Sequence, residues 1–406
     1  MATQGRKSAK RPPKAVIITI IVIVLVIAIA LVVIYFAAPN VWNKLTASLM
    51  GNKENNSNST QKESTLVRGD GELQFHMVDI GQGDFLVLIL PDGKEMLVDC
   101  GSTSGGTKET ALNYLSSVID GHLDYLVLTH SDQDHVEYMD DVLDSFDVDN
   151  IYMPALYSIP KSTSSYVDEI NDIPASKTKI LDDSGVDKTK CYIDTDTYAR
   201  FYWKAFSEEG CNIYLNIELD EDNNPTTLDK HSIITSSDNT YSITFFFMGL
   251  DYYNKSKFNT GPRKNGISPT MILEYNGRRI VLTGDANEEN EPILTQKMNT
   301  YYGGVIDCDV IKVAHHGSHE GSSLDYLNEV KCEVAMVSCG AGNGYNHPRQ
   351  VALTHLQESG VTTIYRTDMH GTIVCIIDKN GELTFTPTNT NVSQEAAWVG
   401  LPPPTP

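Results

Sequence analysis

Residues 126–143 read LVLTHSDQDHVEYMDDVL. An apolar run ends in four groups able to bind a metal ion, His130, Asp132, Asp134 and His135, and helix-compatible spacing resumes at about 137–146. A solvated acidic turn whose aspartates cap the helix amides would account for Asp132 and Asp134. It would rarely need a histidine at each end. Imidazole and carboxylate together suit a borderline or harder divalent ion such as Zn or Mn. On these residues alone both readings stand, and the rest of the chain has to separate them.

Two further apolar runs end in the same way. RRIVLTGDANEE presents Asp285 directly after a strand, and VIKVAHHGS presents His315 and His316 after another. Upstream, LQFHMVDI, DFLVLILP and KEMLVDC read as strands, followed by KETALNYLSSVI with helical apolar spacing. Downstream, YSITFFFMGL, PTMILEYNG and RRIVLTGD read as strands, the last two joined as a hairpin through Asn276-Gly277. A helix near 288–299, the strand VAMVSCG, a helix after Pro348 and the strands TTIYRT and TIVCIID complete the pattern. Short strands alternating with helices imply a layered α/β fold. If the strand ends converge, a rigid sheet delivers ligands from several loops to one point. Two ions need about this many groups, with Asp285 as the bridge. Residues 153–235, containing DDSGVDKTK and ELDEDNNPTTLDKH, read as turn-rich loops around substrate-facing structure.

The chain has 406 residues and a formal charge of −22, which argues against non-specific wrapping of nucleic acid. A nucleic acid held through a bound divalent ion remains compatible with it. Residues 16–38 carry no charge and are long enough to cross a bilayer as a helix of roughly 30 Å. Residues 1–15 hold five basic side chains and no acidic one, which predicts a cytoplasmic tail and an outward-facing remainder. The length of the apolar run disfavours a cleaved signal peptide. Residues 39–68 read as a polar linker, 69–390 as one folded domain and 391–406 as a C-terminal tail. The seven cysteines form no CxxC and predict mostly buried thiols rather than a disulfide scaffold.

The loop His130-Ser131-Asp132-Gln133-Asp134-His135 has companions in HMVDIGQGD at 76–84, LTGD at 282–285, KVAHHGS at 312–318 and YNHPR at 345–349. Together they resemble the metallo-beta-lactamase fold superfamily, and within it the soluble nuclease-like domain of competence DNA-internalisation proteins, over residues 72–380. The resemblance implies a four-layer αββα sandwich with one or two divalent ions, Zn or Mn, at one edge. It implies that His130, Asp132 and one of His315 and His316, with His316 favoured, bind a first ion. Asp134 and His135 would bind the second, with Asp285 between them, and Asp99 of LVDCG would orient a ligand or water. Asp79, Gln82 and Asp84 match the DIGQGD variant, where Gly81 and Gly83 predict a tight turn, and no GxGxxG dinucleotide pattern is present. The chain departs from the wider superfamily where a histidine usually stands before Asp285. Asn265 or Ser268 of KNGISPTMI occupies that neighbourhood, and His231 lies too far upstream. This leaves open a centre with one ion incompletely held by protein.

The chemistry expected is metal-assisted hydrolysis of a phosphodiester, DNA or a cell-wall phosphodiester, rather than of a beta-lactam. Asp134 or Asp99 would orient the attacking water, His315 or His347 would serve the leaving group, and Lys312 would neutralise an anionic substrate. The turns GPRKNG and NGRRI offer two basic patches. The rival reading is a binding module that keeps the fold without a complete metal site. Competence proteins couple such a domain to a multi-helix channel, whereas residues 16–38 provide one span for contact with the lipid bilayer. A pore would therefore need a separate membrane partner; the oligomeric state stays open.

Overall fold

Strands that are apolar on both faces organise the computed structural model, which describes residues 71–218 and 232–401. In chain order they are β1 (Leu73–Met77), β2 (Phe85–Ile89), β3 (Glu95–Cys100), β4 (His122–Val127), β5 (Asp147–Met153), β6 (Tyr157–Ser158), β7 (Tyr192–Ile193), β8 (Asn212–Leu215) and β9 (Ile233–Thr235). There follow β10 (Tyr241–Phe246), β11 (Thr270–Tyr275), β12 (Arg278–Leu282), β13 (Val310–Lys312), β14 (Val334–Val337), β15 (Thr363–Arg366), β16 (Ile373–Ile377) and β17 (Leu383–Pro387). One sheet runs β17-β16-β1-β2-β3-β4-β5-β8, a second runs β15-β14-β13-β12-β11-β10-β9, and β6 pairs with β7 apart from both.

Successive side chains of a strand point to opposite faces, and here they divide between two cores. Leu86 and Leu88 of β2 cluster with Phe75, Phe245, Leu273 and Leu282 between the sheets. Val87 and Ile89 belong instead to the outer core, with Ala111 and Leu115 of the helix Lys108–Val118. On the second sheet Val281 and Ile311 share that outer type of packing with Leu294 and Met298 of the helix Glu291–Tyr302. The result is helix, sheet, sheet, helix in four layers. Double-sided burial explains why these strands read as near-continuous apolar runs.

β3, β4, β5 and β8 are parallel neighbours, as are β12, β13, β14 and β15. Parallel strands end on the same side, so the segments after β3, β4, β12, β13 and β14 emerge together. The hairpin at Asn276-Gly277 forms as its dipeptide predicts, with both residues at positive φ (47° and 75°).

In the region read as turn-rich loops around substrate-facing structure, the described residues include regular helices. These are Val167–Asp172, Ala175–Asp183 and Asp196–Ser207. The last buries Tyr198, Phe201, Tyr202, Ala205 and Phe206, a helical stripe that the surrounding turn residues obscured. The tail placed at 391–406 docks as far as Leu401: Arg366 Nη1 donates to the carbonyls of Ala397 (3.0 Å) and Val399 (2.7 Å), and Leu401 N donates to the Pro348 carbonyl (3.0 Å). No helix among the described residues is long and apolar enough to cross a membrane. The segments 1–15, 16–38 and 39–68 and His231 lie outside the described residues.

Candidate metal centre

Three imidazoles leave the strand ends with one nitrogen anchored and the other aimed at a common point. His135 Nδ1 donates to Asp99 Oδ2 (2.7 Å), and His316 Nδ1 donates to the Ser338 carbonyl (2.8 Å). Neither acceptor can donate, so each Nδ1 carries a proton and Nε2 is the nitrogen left to serve as a ligand. His130 Nδ1 lies 3.1 Å from Thr129 Oγ1 and 3.3 Å from Ser268 Oγ. The three Nε2 atoms face Asp285, at 3.2 Å for His135 and 3.8 Å for His130 and for His316. His316 Nε2 is also 3.4 Å from Asp134 Oδ2.

All three Nε2 atoms and Asp285 Oδ1 are buried without a hydrogen-bond partner. Orphaned polar atoms of this kind cost stability, and several in one place call for an explanation. A divalent ion provides it: ligands about 2.0–2.2 Å from a tetrahedral ion stand roughly 3.3–3.6 Å apart, close to the spacing here. Ligand atoms of His130, His135 and Asp285 come within 4.8 Å of one another, as do those of Asp134, His135 and His316. The donor set therefore fits a divalent ion.

The local backbone explains how adjacent histidines in VAHHGS serve different ends. His315, His316 and Gly317 all take positive φ (49°, 55° and 78°), which breaks the alternation of a strand. His316 is buried in the cluster, and His315 is left at the cavity, 3.7 Å from Asp285 Oδ2.

The electrostatics follow from burial and close charges. Burial alone would lower His316, but Asp285, Asp84 and Asp134 raise it to about 10. His135 is likewise raised well above its usual range against burial, by Asp285 and Asp99. Burial and the His135 charge hold His130 well below it. Asp285 stays well below the carboxylate range despite burial because His135 and His316 face it, and Asp134 falls to about 2 for the same kind of reason. Burial pushes Asp99 and Asp132 upward, offset in part by His135 and Lys264 respectively. The protons that His135 and His316 retain are those an arriving cation would displace.

Several expected site residues take other places. His316 groups with Asp134 and His135, not with His130 and Asp132. Asp132 pairs with Lys264 of the helix Gly261–Asn265. Asp99 is fully buried beneath His135, where Thr129 N (2.8 Å) and Oγ1 (2.7 Å) also donate to it, so it orients the imidazole and does not reach water in the cavity. Lys312 is equally buried, 2.5 Å from Asp84 Oδ2 and 3.0 Å from the Gly284 carbonyl, and cannot meet substrate. Asp84 braces the centre from below through Lys312, Ser338 and His316. Asp79 is exposed and accepts from Gly81 N (3.1 Å) in its own turn, away from the cluster. Ser268 Oγ accepts from Asp285 N (3.1 Å), positioning that carboxylate as well as His130.

A cavity of about 420 Å³ opens over the centre, lined among others by Gln82, Asp132, Asp134, Asp285, His315 and His347. None of the described residues of 153–235 lines it. Gln82 accepts from Gly340 N (3.1 Å) and keeps its Nε2 buried and unpartnered. His347 is lowered to about 3 by burial and by the neighbouring His316 and His315, so it is neutral and cannot supply a proton to a leaving group near neutral pH. Tyr345, 49% exposed, lies against His347 with ring centroids 5.7 Å apart. Sequence reasoning missed Tyr345, Ser338 and Lys264; the last stands in the GPRKNG patch, whose Arg263 is buried and donates to the Tyr253 carbonyl (3.2 Å). The other patch lines a larger cavity, about 770 Å³, at the far end of β12, where Arg278 pairs with Asp309 and Arg279 with Glu274. Among the described residues, no histidine lines that cavity.

Residues 81–191 match the family model of the metallo-beta-lactamase superfamily. The chain is 26% identical over 323 residues to ComE operon protein 3 of Bacillus subtilis (strain 168), an alignment covering 76% of this chain and 33% of that protein. It is 32% identical over 117 residues to competence protein ComA of Neisseria gonorrhoeae, covering 29% and 16%. Recombination protein 2 of Haemophilus influenzae is 23% identical over 289 residues, covering 70% and 26%. The chain thus spans a third or less of the length of these relatives. Among solved structures it is similar to the metallo-beta-lactamase fold protein YhfI of Bacillus subtilis (TM-score 0.37, 12% identity, 77% of this chain and 100% of that one). It is also similar to human tRNase Z, short form (TM-score 0.31, 14% identity, 65% and 91%).

Proposed function

We propose, from the resemblance to the metallo-beta-lactamase superfamily and its competence-protein relatives, that the chain is a metal-dependent phosphodiesterase acting on nucleic acid. The observation that carries the reading is the convergence of three buried, unpartnered imidazole nitrogens on Asp285. When bound there, a Zn or Mn ion supplies Lewis acidity, toward water and toward a phosphoryl oxygen. Asp134, His135, His316 and Asp285 would hold it, with His130 facing the shared Asp285.

The chain's own groups do the remaining work. Asp134, ionised and at the cavity wall, accepts a hydrogen bond from the attacking water and orients it. His315 lies on the open side of Asp285, where a leaving oxygen would depart. His347, neutral and beside it, keeps that side free of added charge. Asp99 and Ser338 hold each imidazole by Nδ1 and so direct Nε2 toward the ion's place. With a formal charge of −22, long-range attraction of a polyanion is weak, so binding depends on groups at the mouth. Tyr345 favours nucleic acid over a cell-wall phosphodiester, because a half-exposed aromatic ring there offers a stacking face to a base.

Residues 16–38 would anchor the chain with the hydrolase domain outside the cell, and any pore for DNA would come from a separate membrane partner. A thiol-reactive reagent that cannot cross membranes, applied to intact cells carrying a cysteine placed in 39–68, tests the orientation by labelling. The reading as a non-catalytic binding module draws on the missing histidine and on the pairing of Asp132 with Lys264.

The decisive experiment measures bound metal in the purified chain and cleavage of single-stranded DNA, duplex DNA, RNA and bis(p-nitrophenyl) phosphate with Mn or Zn. One or two ions per chain, and loss of cleavage in Asp285→Asn with unchanged thermal unfolding, are expected. Metal-free protein that gains no activity on adding either ion would overturn the hydrolase reading and leave the binding module.

A further inference from the structure

Asp132 holds the place of a metal ligand in its loop, yet it contributes to none of the groups of ligand atoms that lie within 4.8 Å of one another. Its Oδ1 accepts from Lys264 Nζ. The Asn265 amide, in the orientation that satisfies both its ends, donates to Asp132 Oδ2 (3.2 Å) and to the Gly261 carbonyl (2.9 Å). Both oxygens of the carboxylate are thus committed to protein donors, and both donors come from the same helix, Gly261–Asn265.

The remainder of a first ion's ligand set is depleted too. Where the wider superfamily has a histidine, Ser268 spends its hydroxyl on Asp285 N and faces His130 Nδ1. Of the four ligand groups on the cluster, two include Asp84, which Lys312 already pairs; the other two, His130 with His135 and Asp285, and Asp134 with His135 and His316, share His135. That residue has one free nitrogen, because Asp99 holds the other. A second ion would be left with His130 and a shared Asp285.

Charge points the same way. Asp132, Asp134, Asp285 and Glu320 line the cavity together with Arg349, and Lys264, 22% exposed, adjoins it through its pairing with Asp132, itself 23% exposed. At the centre itself, one divalent ion and one ammonium balance the carboxylates of Asp132, Asp134 and Asp285. Without the ammonium the centre would be left net negative toward an incoming phosphodiester anion. Asp84 adds nothing to this balance, since Lys312 neutralises it beneath the centre.

We propose that the centre takes a single divalent ion, at Asp134, His135, His316 and Asp285, and that Lys264, pinned on Asp132, supplies the second positive charge that meets the phosphoryl group. This rests on the phosphodiesterase reading and names how its substrate is held. An ammonium is a compact point charge suited to a phosphoryl oxygen, and it spares the site a second ion that the remaining ligands would hold poorly.

The test uses the full chain purified in detergent, titrated with Mn or Zn and analysed for bound metal, with inorganic phosphate as the probe of the anion site. Wild type is expected to hold one ion. Lys264→Ala frees Asp132 and is expected to take up a second, weaker ion, and adding Asp132→Ala to it returns the count to one. At metal concentrations that fill only the first site, Lys264→Ala should bind phosphate about tenfold more weakly, with Lys264→Arg close to wild type. Two tightly held ions in wild type, or a Lys264→Ala variant unchanged in both metal count and phosphate affinity, would overturn the proposal. A chain that cleaves phosphodiesters while holding two ions removes this inference alone. A chain that holds one ion and shows the Lys264 effects but cleaves nothing removes the hydrolase reading and keeps Lys264 as an anion-binding charge.

Discussion

Asp99 governs the centre without touching its cavity. It takes the unusual positive φ of 57° directly after the apolar run of β3 and accepts from His135 Nδ1 and twice from Thr129. Asp99→Asn keeps the shape but loses the charge that fixes the imidazole, and metal affinity is expected to fall about 10–100-fold. A metal titration checks this, and unchanged affinity would remove the orienting role. Tyr345 belongs to the same scale. Tyr345→Ala should weaken binding of single-stranded DNA by about 1–3 kcal/mol while leaving hydrolysis of bis(p-nitrophenyl) phosphate near wild type; equal loss on both substrates would argue against base stacking. Sequence reading found the ligating types because histidine and aspartate at strand ends are conspicuous. It could not find that Lys312 is a buried counter-ion, since a lysine after Val310 and Ile311 looks the same whether it meets solvent or Asp84.

The elements meet at the centre through two close contacts. The segment carrying Asp84 lies directly on the metal loop: Asp84 N donates to the Asp134 carbonyl (2.9 Å), and a Cβ on Gly83 would come within 2.6 Å of that same oxygen. This is why the glycine-containing turn reads as a motif, for only a residue without a side chain admits the approach. Opposite, Lys312 of β13 reaches across from the second sheet to Asp84, so one buried ion pair ties both sheets together under the imidazoles. Lys312→Met should destabilise the domain by about 3–5 kcal/mol, because it leaves a buried carboxylate unpaired. Thermal or denaturant unfolding measures it, and joint replacement with Asp84→Leu should recover much of the loss. If the single substitution leaves unfolding unchanged, the pair does not hold the sheets.

For the whole domain, acid is the vulnerable direction. His76, on β1, accepts at Nδ1 from the Tyr114 hydroxyl (2.8 Å) and donates through Nε2 to Gln74 Oε1 (3.1 Å), and burial holds it down to about 4. Unfolded, the same imidazole titrates near 6.5. The unfolded chain therefore binds the extra proton first, and stability falls as pH drops from about 6.5 to about 4, by an amount on the order of a few kcal/mol. His347, lowered to about 3 mainly by burial, adds in the same direction. In metal-free protein His316 runs the other way, stabilising below about 6.5 and losing that contribution as pH rises through about 10. Unfolding of wild type against His76→Gln across pH 4–7 isolates the first term. The variant should show the shallower loss, and parallel curves would mean that His76 is not held neutral.

What the sequence determined by itself was the material of the site and most of the sandwich. Near-continuous apolar runs make strands buried on both faces, and the groups that end them, His130, Asp285, His315 and His316, are fixed by chain order. The helix Asp196–Ser207 escaped, because its buried stripe is set among turn residues. The tertiary structure alone decided which of those groups meet. His316 joins Asp134 because three successive positive-φ residues turn it inward, and Asp132 pairs with Lys264, 132 positions further along the chain, because the helix Gly261–Asn265 packs beside the metal loop. Such pairings depend on how two sheets stack and which loops cross their edge. No local pattern encodes that, since the partners are brought together only by burial of the apolar faces between them.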